Sequence, residues 1–159
     1  MMKLQKKSDD TLAVLDTQIF VPALASQSEE ARFYACAIRK CWKFVFSQQI
    51  TDEYQRVIQE YGFTGAVVIQ ELNKLYEMNK YRKSDGDLDR VTDDLAPRKD
   101  RHIVAPCVFG HATVIVSNDR GILQRKLQIE ARTRARVFSM LDAEQLLKTL
   151  PDCHINASR

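Results

Sequence analysis

The sequence predicts an α/β fold built on an open, mostly parallel β-sheet. Short apolar runs alternate along the chain with longer stretches whose apolar residues recur at helical spacing. Continuous apolar runs of this kind are typical of parallel strands, which helices cover on both faces. With 159 residues, 45% of them hydrophobic and 28% charged, the chain has the composition of a soluble protein that can bury a full core. We expect a single domain over residues 11–150, with a flexible N-terminal tail at 1–10 and a C-terminal tail at 151–159.

The first half of the chain predicts two strands and three helices. Residues 11–15 and 44–46 are the apolar runs expected for the strands. A helix is predicted between them, over about 29–41. The remaining helices are expected from an N-cap at Thr51 to about residue 60, with Gly62 ending the helix, and over about 65–81.

The second half predicts further strands around a helix that begins at Asp100. Residues 113–116 form a β-branched run, which favours a strand, and weaker strands are expected at 88–92 and 137–140. A last helix is predicted over 142–150, where Pro151 stops it. Pro106 lies inside the Asp100 helix, where an interior proline costs about 3 kcal/mol unless the helix kinks or ends there.

Several classes of protein are disfavoured by simple features of the chain. No apolar run approaches the roughly 20 residues that span a bilayer. The N-terminus is polar and lacks the apolar region of a signal peptide, so we expect a cytoplasmic protein. The cysteines show no zinc-ligand spacing, which favours reduced thiols that act as small apolar side chains: Cys36, Cys41, Cys107 and Cys153.

Four acidic residues are expected to meet at the carboxyl edge of the sheet. Asp16 ends the first strand, Glu53 opens the helix after the second, Asp100 opens a later helix, and Asp119 follows the strand at 113–116. Ligands of open parallel sheets bind outside the carboxyl ends of the strands. Because clustered carboxylates repel one another unless a divalent cation lies between them, the pattern predicts a Mg²⁺ or Mn²⁺ site and phosphoryl chemistry.

Each member of this set also has a structural interpretation. A lone aspartate after a strand is often an N-cap, and a glutamate in a first turn is favoured by the helix dipole. The hydroxyls of Thr17 and Ser117 could support a ligand carboxylate or an attacking water, or act only as caps. Further acids could replace or add to the third ligand: Asp87, Asp89, Asp93 and Asp94. The histidines are interpreted as ordinary surface or packing residues: His102, His111 and His154.

Positive charge is concentrated in residues 118–136. This stretch holds six basic and two acidic residues, whereas the net charge of the whole chain is only +3. A basic ridge beside an acidic site suits a polyanionic substrate. Arg120 is the best-placed group for a substrate phosphate, with Arg125 and Lys126 beside it, although a solvated helix face would give the same pattern.

Four segments together resemble the PIN-domain ribonucleases. They are residues 15–20 (LDTQIF), Glu53, residues 98–105 (RKDRHIVA) and residues 116–123 (VSNDRGIL), in family order over about residues 11–145. The resemblance implies a doubly wound, PIN-like sheet of about five mostly parallel strands with helices on both faces. It also implies Mg²⁺- or Mn²⁺-dependent cleavage of RNA that leaves a 5′-phosphate and a 3′-hydroxyl. The implied catalytic and metal-binding residues are Asp16, Asp100 and Asp119, with Glu53 able to bind a second ion directly or through water.

The resemblance also suggests partners and leaves alternatives open. Many small bacterial and archaeal members are VapC-type toxins covered by an antitoxin, others mature ribosomal RNA, some have lost activity, and homodimers are common. One alternative is therefore a PIN-like binding or scaffold module without catalysis. A phosphotransfer domain is disfavoured, because Gln18 stands where a haloacid-dehalogenase-type phosphatase needs its second aspartate, and a receiver's acidic pair and late lysine are missing.

Overall fold

The computed structural model describes residues 10–86 and 88–153, and in these ranges the chain forms a five-stranded, all-parallel sheet. This confirms the predicted α/β fold. The strands are β1 (Leu12–Leu15), β2 (Lys43–Phe46), β3 (Tyr81–Lys83), β4 (Val114–Val116) and β5 (Arg136–Phe138). Their order across the sheet is β3-β2-β1-β4-β5.

Eight α-helices flank this sheet within the described ranges. None of them is long and apolar enough to cross a membrane. They are α1 (Thr17–Ala25), α2 (Glu29–Arg39), α3 (Gln48–Ile58), α4 (Ala66–Glu77), α5 (Arg101–Val108), α6 (Arg120–Leu123), α7 (Lys126–Arg132) and α8 (Met140–Lys148).

The strand order creates a topological switch point between β1 and β4. The chain builds outward from β1 through β2 to β3, and then returns to the other side of β1 to add β4 and β5. The Asp16 N–H donates to the Val116 carbonyl at 2.9 Å, which carries the β1–β4 ladder one residue beyond β1. In sheets of this type the crevice at the carboxyl ends of two such strands is where ligands bind.

An aromatic cluster fixes α3 against the end of β1. The rings of Phe20 and Tyr54 stack with their centroids 4.4 Å apart, and Phe46 packs edge-on against both. The buried Tyr54 hydroxyl donates to the carbonyl of Leu15. Because Glu53 precedes Tyr54 on α3, this anchor holds Glu53 near the same end of the sheet.

Helix α1 was not expected, because the sequence indicated only a turn after β1. Its residues are apolar on nearly every side, so they show no helical periodicity, and it contains Pro22. The apolar residues are accommodated because Ile19, Phe20 and Val21 are all fully buried. A helix covered on all sides needs no polar face.

The predicted start of α3 was wrong. Ser47 caps the helix by accepting a hydrogen bond from the Ile50 N–H at 3.1 Å, whereas Thr51 lies buried within it. Glu53 therefore lies in the second turn of α3 and does not open the helix. A serine directly after an apolar strand is an equally good N-cap signal, and it stands four residues earlier.

The third strand was also misplaced. Strand β3 occupies the end of the predicted 65–81 helix and the two residues beyond it, whereas the region predicted as strand at 88–92 contains a 3₁₀ turn, Leu88–Arg90. Among the residues that the structure describes, strand β3 pairs only with β2 and lies at an edge of the sheet. Such an edge strand is half exposed and can consist of tyrosine, arginine and lysine without a β-branched run.

Pro106 does not stop α5 at once. The helix continues to Val108, two residues beyond the proline. The carbonyl of Pro106 accepts hydrogen bonds from the N–H groups of His111, at 2.8 Å, and Ala112, at 3.2 Å. These bonds close the turn that leads into β4, and Asp100 remains upstream of the disturbance.

The cysteine prediction was wrong for one pair. Cys41 and Cys153 form a disulfide with their Cα atoms 5.6 Å apart, while Cys36 and Cys107 are free. The chain end is further held by the Cys153 N–H, which donates to the Arg39 carbonyl at 3.0 Å. The predicted tails fall largely outside the described residues, at 1–9 and 154–159, as do Asp87 and His154.

Candidate functional site

Asp16 lies at the carboxyl end of β1, at the switch point, and is 6% exposed. Its Oδ1 accepts a hydrogen bond from the Thr17 N–H at 2.7 Å, which caps α1. Its Oδ2 accepts a hydrogen bond from the Ser117 hydroxyl at 2.5 Å. Burial raises the pKa of Asp16. The nearby hydroxyl of Thr17 is itself buried and has no hydrogen-bond partner among the residues the structure describes.

Ser117 joins two acids that lie on different elements. The residue is fully buried after β4, where its N–H donates to the Phe138 carbonyl at 2.9 Å. Besides donating to Asp16, its Oγ accepts a hydrogen bond from the Asp119 N–H at 2.9 Å. A single hydroxyl therefore sets the positions of Asp16 and Asp119 relative to each other.

Asp119 serves both as a helix cap and as part of the acidic cluster. Its Oδ1 accepts a hydrogen bond from the Gly121 N–H at 2.7 Å and so caps α6. Its Oδ2 forms an ion pair with Lys99 Nζ at 3.1 Å. Burial acts to raise the pKa of Asp119, but the hydrogen bonds from Gly121 and Lys99 outweigh it and lower that pKa. The cap and the cluster thus use different oxygens.

Asp100 is the acid with the most disturbed environment. It is 6% exposed at the start of α5, and its Oδ2 is buried without a hydrogen-bond partner in the described part of the chain. Burial, followed by the charge of Asp119, raises the pKa of Asp100 to about 7. A methyl group placed on Gly121 would lie 3.5 Å from Asp100 Oδ2 and 3.2 Å from Asp119 Oδ1. The two carboxylates therefore border the same small space.

Glu53 faces the cluster from α3. His102 Nε2–H donates to its carboxylate, and Arg56 Nη2 lies 3.7 Å from its Oε1. The charge of Glu53 makes a small contribution to the raised pKa of Asp16. Burial lowers the pKa of His102 although Glu53 opposes that effect. A neutral His102 can still donate this hydrogen bond.

The four acids do not form a ready-made metal cage. Among the residues described, no three His, Cys, Asp or Glu side chains are placed to hold a metal ion together. The donor chemistry nevertheless fits a hard divalent cation, because every candidate ligand is a carboxylate oxygen. The buried, unpartnered Asp100 Oδ2 and the Lys99 ammonium group beside Asp119 mark a place where positive charge is favoured.

The predicted phosphate-binding residues lie in different surroundings. Arg120 is exposed directly after Asp119. Arg125 is tied to the protein itself, since its Nε donates to the Asp93 carbonyl at 2.9 Å and its Nη1 to the Gly121 carbonyl at 2.7 Å. Lys126 Nζ lies 5.8 Å from the centre of the Phe138 ring. Of the three, Arg120 is the group most available to a ligand.

The rest of the basic stretch does not form one continuous ridge. Arg132 forms an ion pair with Asp94, and Asp93 pairs with Arg101 Nη2 at 2.7 Å. Arg134 and Arg136 line a cavity of about 680 Å³ at the opposite, amino end of the strands. The spare acids Asp93 and Asp94 are therefore matched by arginines, and Asp89 lies in the Leu88–Arg90 turn.

Two residues of the site were not found from the sequence. The sequence pattern assigns no role to Lys99, and it indicates for His102 only an ordinary surface or packing position. Both are close to Asp100 along the chain, and that proximity was the available signal. Their contacts with Asp119 and Glu53 span 20 and 49 residues, so they depend on the fold.

Comparison with known protein families gives a match over most of the chain. A family model described as PIN domain matches residues 12–121. This range contains β1 to β4 and all four acids of the candidate site. No curated protein matches the chain.

Proposed function

The chain belongs to the PIN-domain family, whose members are generally nucleases, and on that premise we propose that it is a metal-dependent endoribonuclease. Its site would be the acidic crevice, by which we mean the carboxyl end of the sheet with Asp16, Glu53, Asp100 and Asp119. One observation carries the proposal. Asp16, Asp100 and Asp119 come from three separate elements to the switch point, where Asp100 lies beside Asp119 and its buried Oδ2 receives no hydrogen bond from another donor among the described residues. Burying carboxylates together is unfavourable for folding alone, so a ligand of positive charge gives the arrangement its purpose.

Three of the acids would hold a Mg²⁺ or Mn²⁺ ion: Asp16, Asp100 and Asp119. Glu53 would bind through water or take part in holding a second ion. When bound, such an ion lowers the pKa of a coordinated water and offsets the negative charge that builds up on the phosphate. Members of the family commonly use divalent metal ions, and the all-carboxylate donor set suits them.

The proposed reaction is hydrolysis of an RNA phosphodiester. The oxygen of water bonds to phosphorus, the bond from phosphorus to the 3′ oxygen breaks, and a proton goes to that 3′ oxygen. Arg120, exposed beside Asp119, would contact a phosphate oxygen of the substrate. Any contribution of Arg125 would first require release of its two backbone hydrogen bonds, so we assign it and Lys126 to the outer part of the RNA path.

Two groups position the acids. Ser117 holds Asp16 by donating a hydrogen bond to its Oδ2 and holds Asp119 through the backbone N–H. His102 holds Glu53 by donating from Nε2. Both contacts fix rotamers of residues that would otherwise repel one another, as a preorganised site requires.

The test is cleavage of an end-labelled structured RNA in Mn²⁺, in Mg²⁺ and in EDTA, with the wild type beside Asp16→Asn. Asparagine retains the N-cap of α1, so the variant should fold. Asp142→Asn is a matched control, because Asp142 is an exposed acid in the first turn of α8. We expect metal-dependent cutting by the wild type and by Asp142→Asn, and its loss in Asp16→Asn and Asp119→Asn. Wild-type cutting by both site variants would refute the assignment.

The second candidate is a PIN-like scaffold without catalysis. It is favoured by one observation: in the residues described, the acids are not gathered into a metal cage. Calorimetric titration with Mn²⁺ separates the candidates. Binding that is lost in Asp100→Asn supports the nuclease, whereas absence of binding supports the scaffold.

A toxin role, with an antitoxin and a homodimer, belongs to the proposal as well. Ile69, Tyr76 and Tyr81 line a cleft of about 340 Å³, and Tyr76 is 72% exposed, so this surface can accept a protein partner. Sedimentation velocity at micromolar concentration tests self-association. A monomer at every concentration would remove the homodimer from the proposal.

A further inference from the structure

We infer that Lys99 is the resident cation of the acidic crevice, and that a divalent metal ion must displace its ammonium group in order to bind. The inference rests on the proposed function, because it concerns the same carboxylates. It assigns to Lys99 a role that neither the family match nor the four acids provide.

The first support is the choice of oxygen. Lys99 Nζ contacts Asp119 Oδ2 at 3.1 Å, while Asp119 Oδ1 is already occupied by the Gly121 N–H. Oδ2 is therefore the oxygen of Asp119 that is free of the helix cap. A metal ion that binds Asp119 through this oxygen takes the place that the ammonium group now occupies.

The second support is the balance of charge. The cluster brings Asp119 and Asp100 to one small space, with Asp16 nearby, and it buries Asp100 Oδ2 without a partner. Lys99 is charged at neutral pH, and its ammonium group lies 3.1 Å from Asp119 Oδ2. In the metal-free protein this single charge reduces the repulsion among the acids.

The third support is the ease of displacement. The side chain of Lys99 is 71% exposed, so leaving the crevice gives up little packing. Exposed ion pairs contribute little to stability, and a doubly charged ion with oxygen ligands competes favourably for the same carboxylates. Ser117, which is fully buried, would keep its hydrogen bonds to both neighbouring acids during the exchange.

The displaced group stays attached beside the site. Four methylene groups link the ammonium group of Lys99 to its own backbone, which directly precedes Asp100. An ammonium group at the mouth of the crevice can meet a phosphate oxygen of the approaching RNA. Lys99 would thus neutralise the acids before metal binding and contact the substrate after it.

Calorimetric titration of the full chain with Mn²⁺ tests the inference. Lys99→Met keeps most of the side-chain length and removes the charge. Arg98→Met is the matched control, because Arg98 is the exposed basic neighbour and has no ion pair to the cluster among those found in the described residues. We expect Mn²⁺ to bind about fivefold more tightly to Lys99→Met than to the wild type, as follows from removing one exposed ion pair. Arg98→Met should change the affinity by less than about twofold.

Thermal melting in EDTA gives a second readout that needs no metal. Lys99→Met should melt below the wild type in EDTA, and saturating Mn²⁺ should remove that difference. Unchanged or weaker Mn²⁺ binding by Lys99→Met would overturn the inference, as would absence of Mn²⁺ binding by either protein. Absence of Mn²⁺ binding also counts against the nuclease proposal. If Mn²⁺ binds with the expected change in affinity but neither protein cuts RNA, the nuclease proposal fails and the inference stands.

Discussion

Asp100 is a carboxylate whose ionised form is unfavourable in the folded protein. Its pKa rises from 3.8 to about 7, mainly because it is buried and then because Asp119 lies beside it. The folded state therefore holds this proton more tightly than the unfolded state does. The stability that the group contributes is present below about pH 4 and is lost as the pH rises to about 7.

The upward shift of the Asp100 pKa leads to a prediction for Asp100→Asn in EDTA. The neutral amide avoids the cost of the charge, so the variant should be more stable than the wild type at pH 8. The difference should shrink as the pH is lowered from 7 towards 4, because the wild-type carboxyl becomes protonated. Urea denaturation at pH 5, 6, 7 and 8 measures it. A difference that is constant with pH would contradict the raised pKa of Asp100.

A bound metal ion should reverse the effect of Asp100→Asn on stability. A bound cation favours the carboxylate, so Mn²⁺ is expected to stabilise the wild type at pH 7.5 and to leave Asp100→Asn almost unchanged. The measurement is the melting temperature with and without Mn²⁺. Equal stabilisation of both proteins would show that Asp100 is not a ligand.

Ser117 and Ser139 are a matched pair of serines, because each directly follows one of two neighbouring strands, β4 and β5. Ser117 is buried and supports two acids, while Ser139 caps α8 by accepting from the Asp142 N–H at 3.1 Å. Ser117→Ala should cost about 2 kcal/mol of unfolding free energy, because it leaves buried polar groups unpaired. It should also weaken Mn²⁺ binding. Ser139→Ala should cost about 1 kcal/mol and leave Mn²⁺ binding unchanged. Equal Mn²⁺ affinities for the two variants would argue against a positioning role for Ser117.

The positions of three acids could be read from the sequence because each stands at an element boundary. Asp16, Asp100 and Asp119 follow a strand or begin a helix, and boundaries of that kind are marked by composition. Lys99 and Arg125 show what could not be read. Both are basic residues near the site, yet one points to Asp119 and the other to backbone carbonyls. Charge counts along a chain carry no information on side-chain direction.

At the scale of elements, a helix or strand could be predicted from the sequence when its residues follow a regular pattern. The amphipathic helix α2 and the buried strands β1 and β4 were predicted, because a period or a continuous apolar run identifies them. Helix α1 is covered on nearly all sides and β3 is a half-exposed edge, so neither has a regular pattern. The secondary structure of such segments is determined by tertiary packing.

The short helix α6 is an element whose close packing can be tested at one residue, Gly121. A Cβ on Gly121 would lie 2.8 Å from Pro97 Cγ, in a ring that cannot move aside easily. It would also approach the carboxylates of Asp119 and Asp100. Gly121→Ala should therefore lower the unfolding free energy by about 2 kcal/mol and weaken Mn²⁺ binding.

Gly65 supplies the control for that substitution. It lies at the start of α4 with φ of −59°, and the nearest atoms to a Cβ there would be those of the Gln55 side chain, at 3.2 Å or more. Gly65→Ala should change the unfolding free energy by less than about 1 kcal/mol. If the two alanine variants unfold at the same urea concentration, the packing around Gly121 is looser than the structure indicates.

At the scale of the whole molecule, the site exists only because the strands are ordered as they are. Returning from β3 to the far side of β1 brings Asp16 and Ser117, 101 residues apart, within hydrogen-bond distance. α3 and α5 contribute Glu53 and Asp100 from two further crossovers. A site assembled over such separations cannot survive local rearrangement of the sheet, so loss of the fold and loss of metal binding should coincide.

The Cys41–Cys153 disulfide closes a loop that runs from β2 to α8, with a sequence separation of 112 residues. A crosslink over so long a loop removes freedom from the unfolded chain and should contribute about 4 kcal/mol to stability. Under oxidising conditions, mass spectrometry after alkylation should find Cys36 and Cys107 modified and the other two protected. Dithiothreitol should lower the melting temperature of the wild type and of Cys36→Ser, but it should have no effect on Cys153→Ser.

Because Asp16 and Ser117 lie at the other end of the strands, Mn²⁺ affinity at 25 °C should be the same in the reduced and oxidised proteins. Four alkylated cysteines before reduction would contradict the pairing, and a changed Mn²⁺ affinity would show that the chain end is coupled to the acidic crevice.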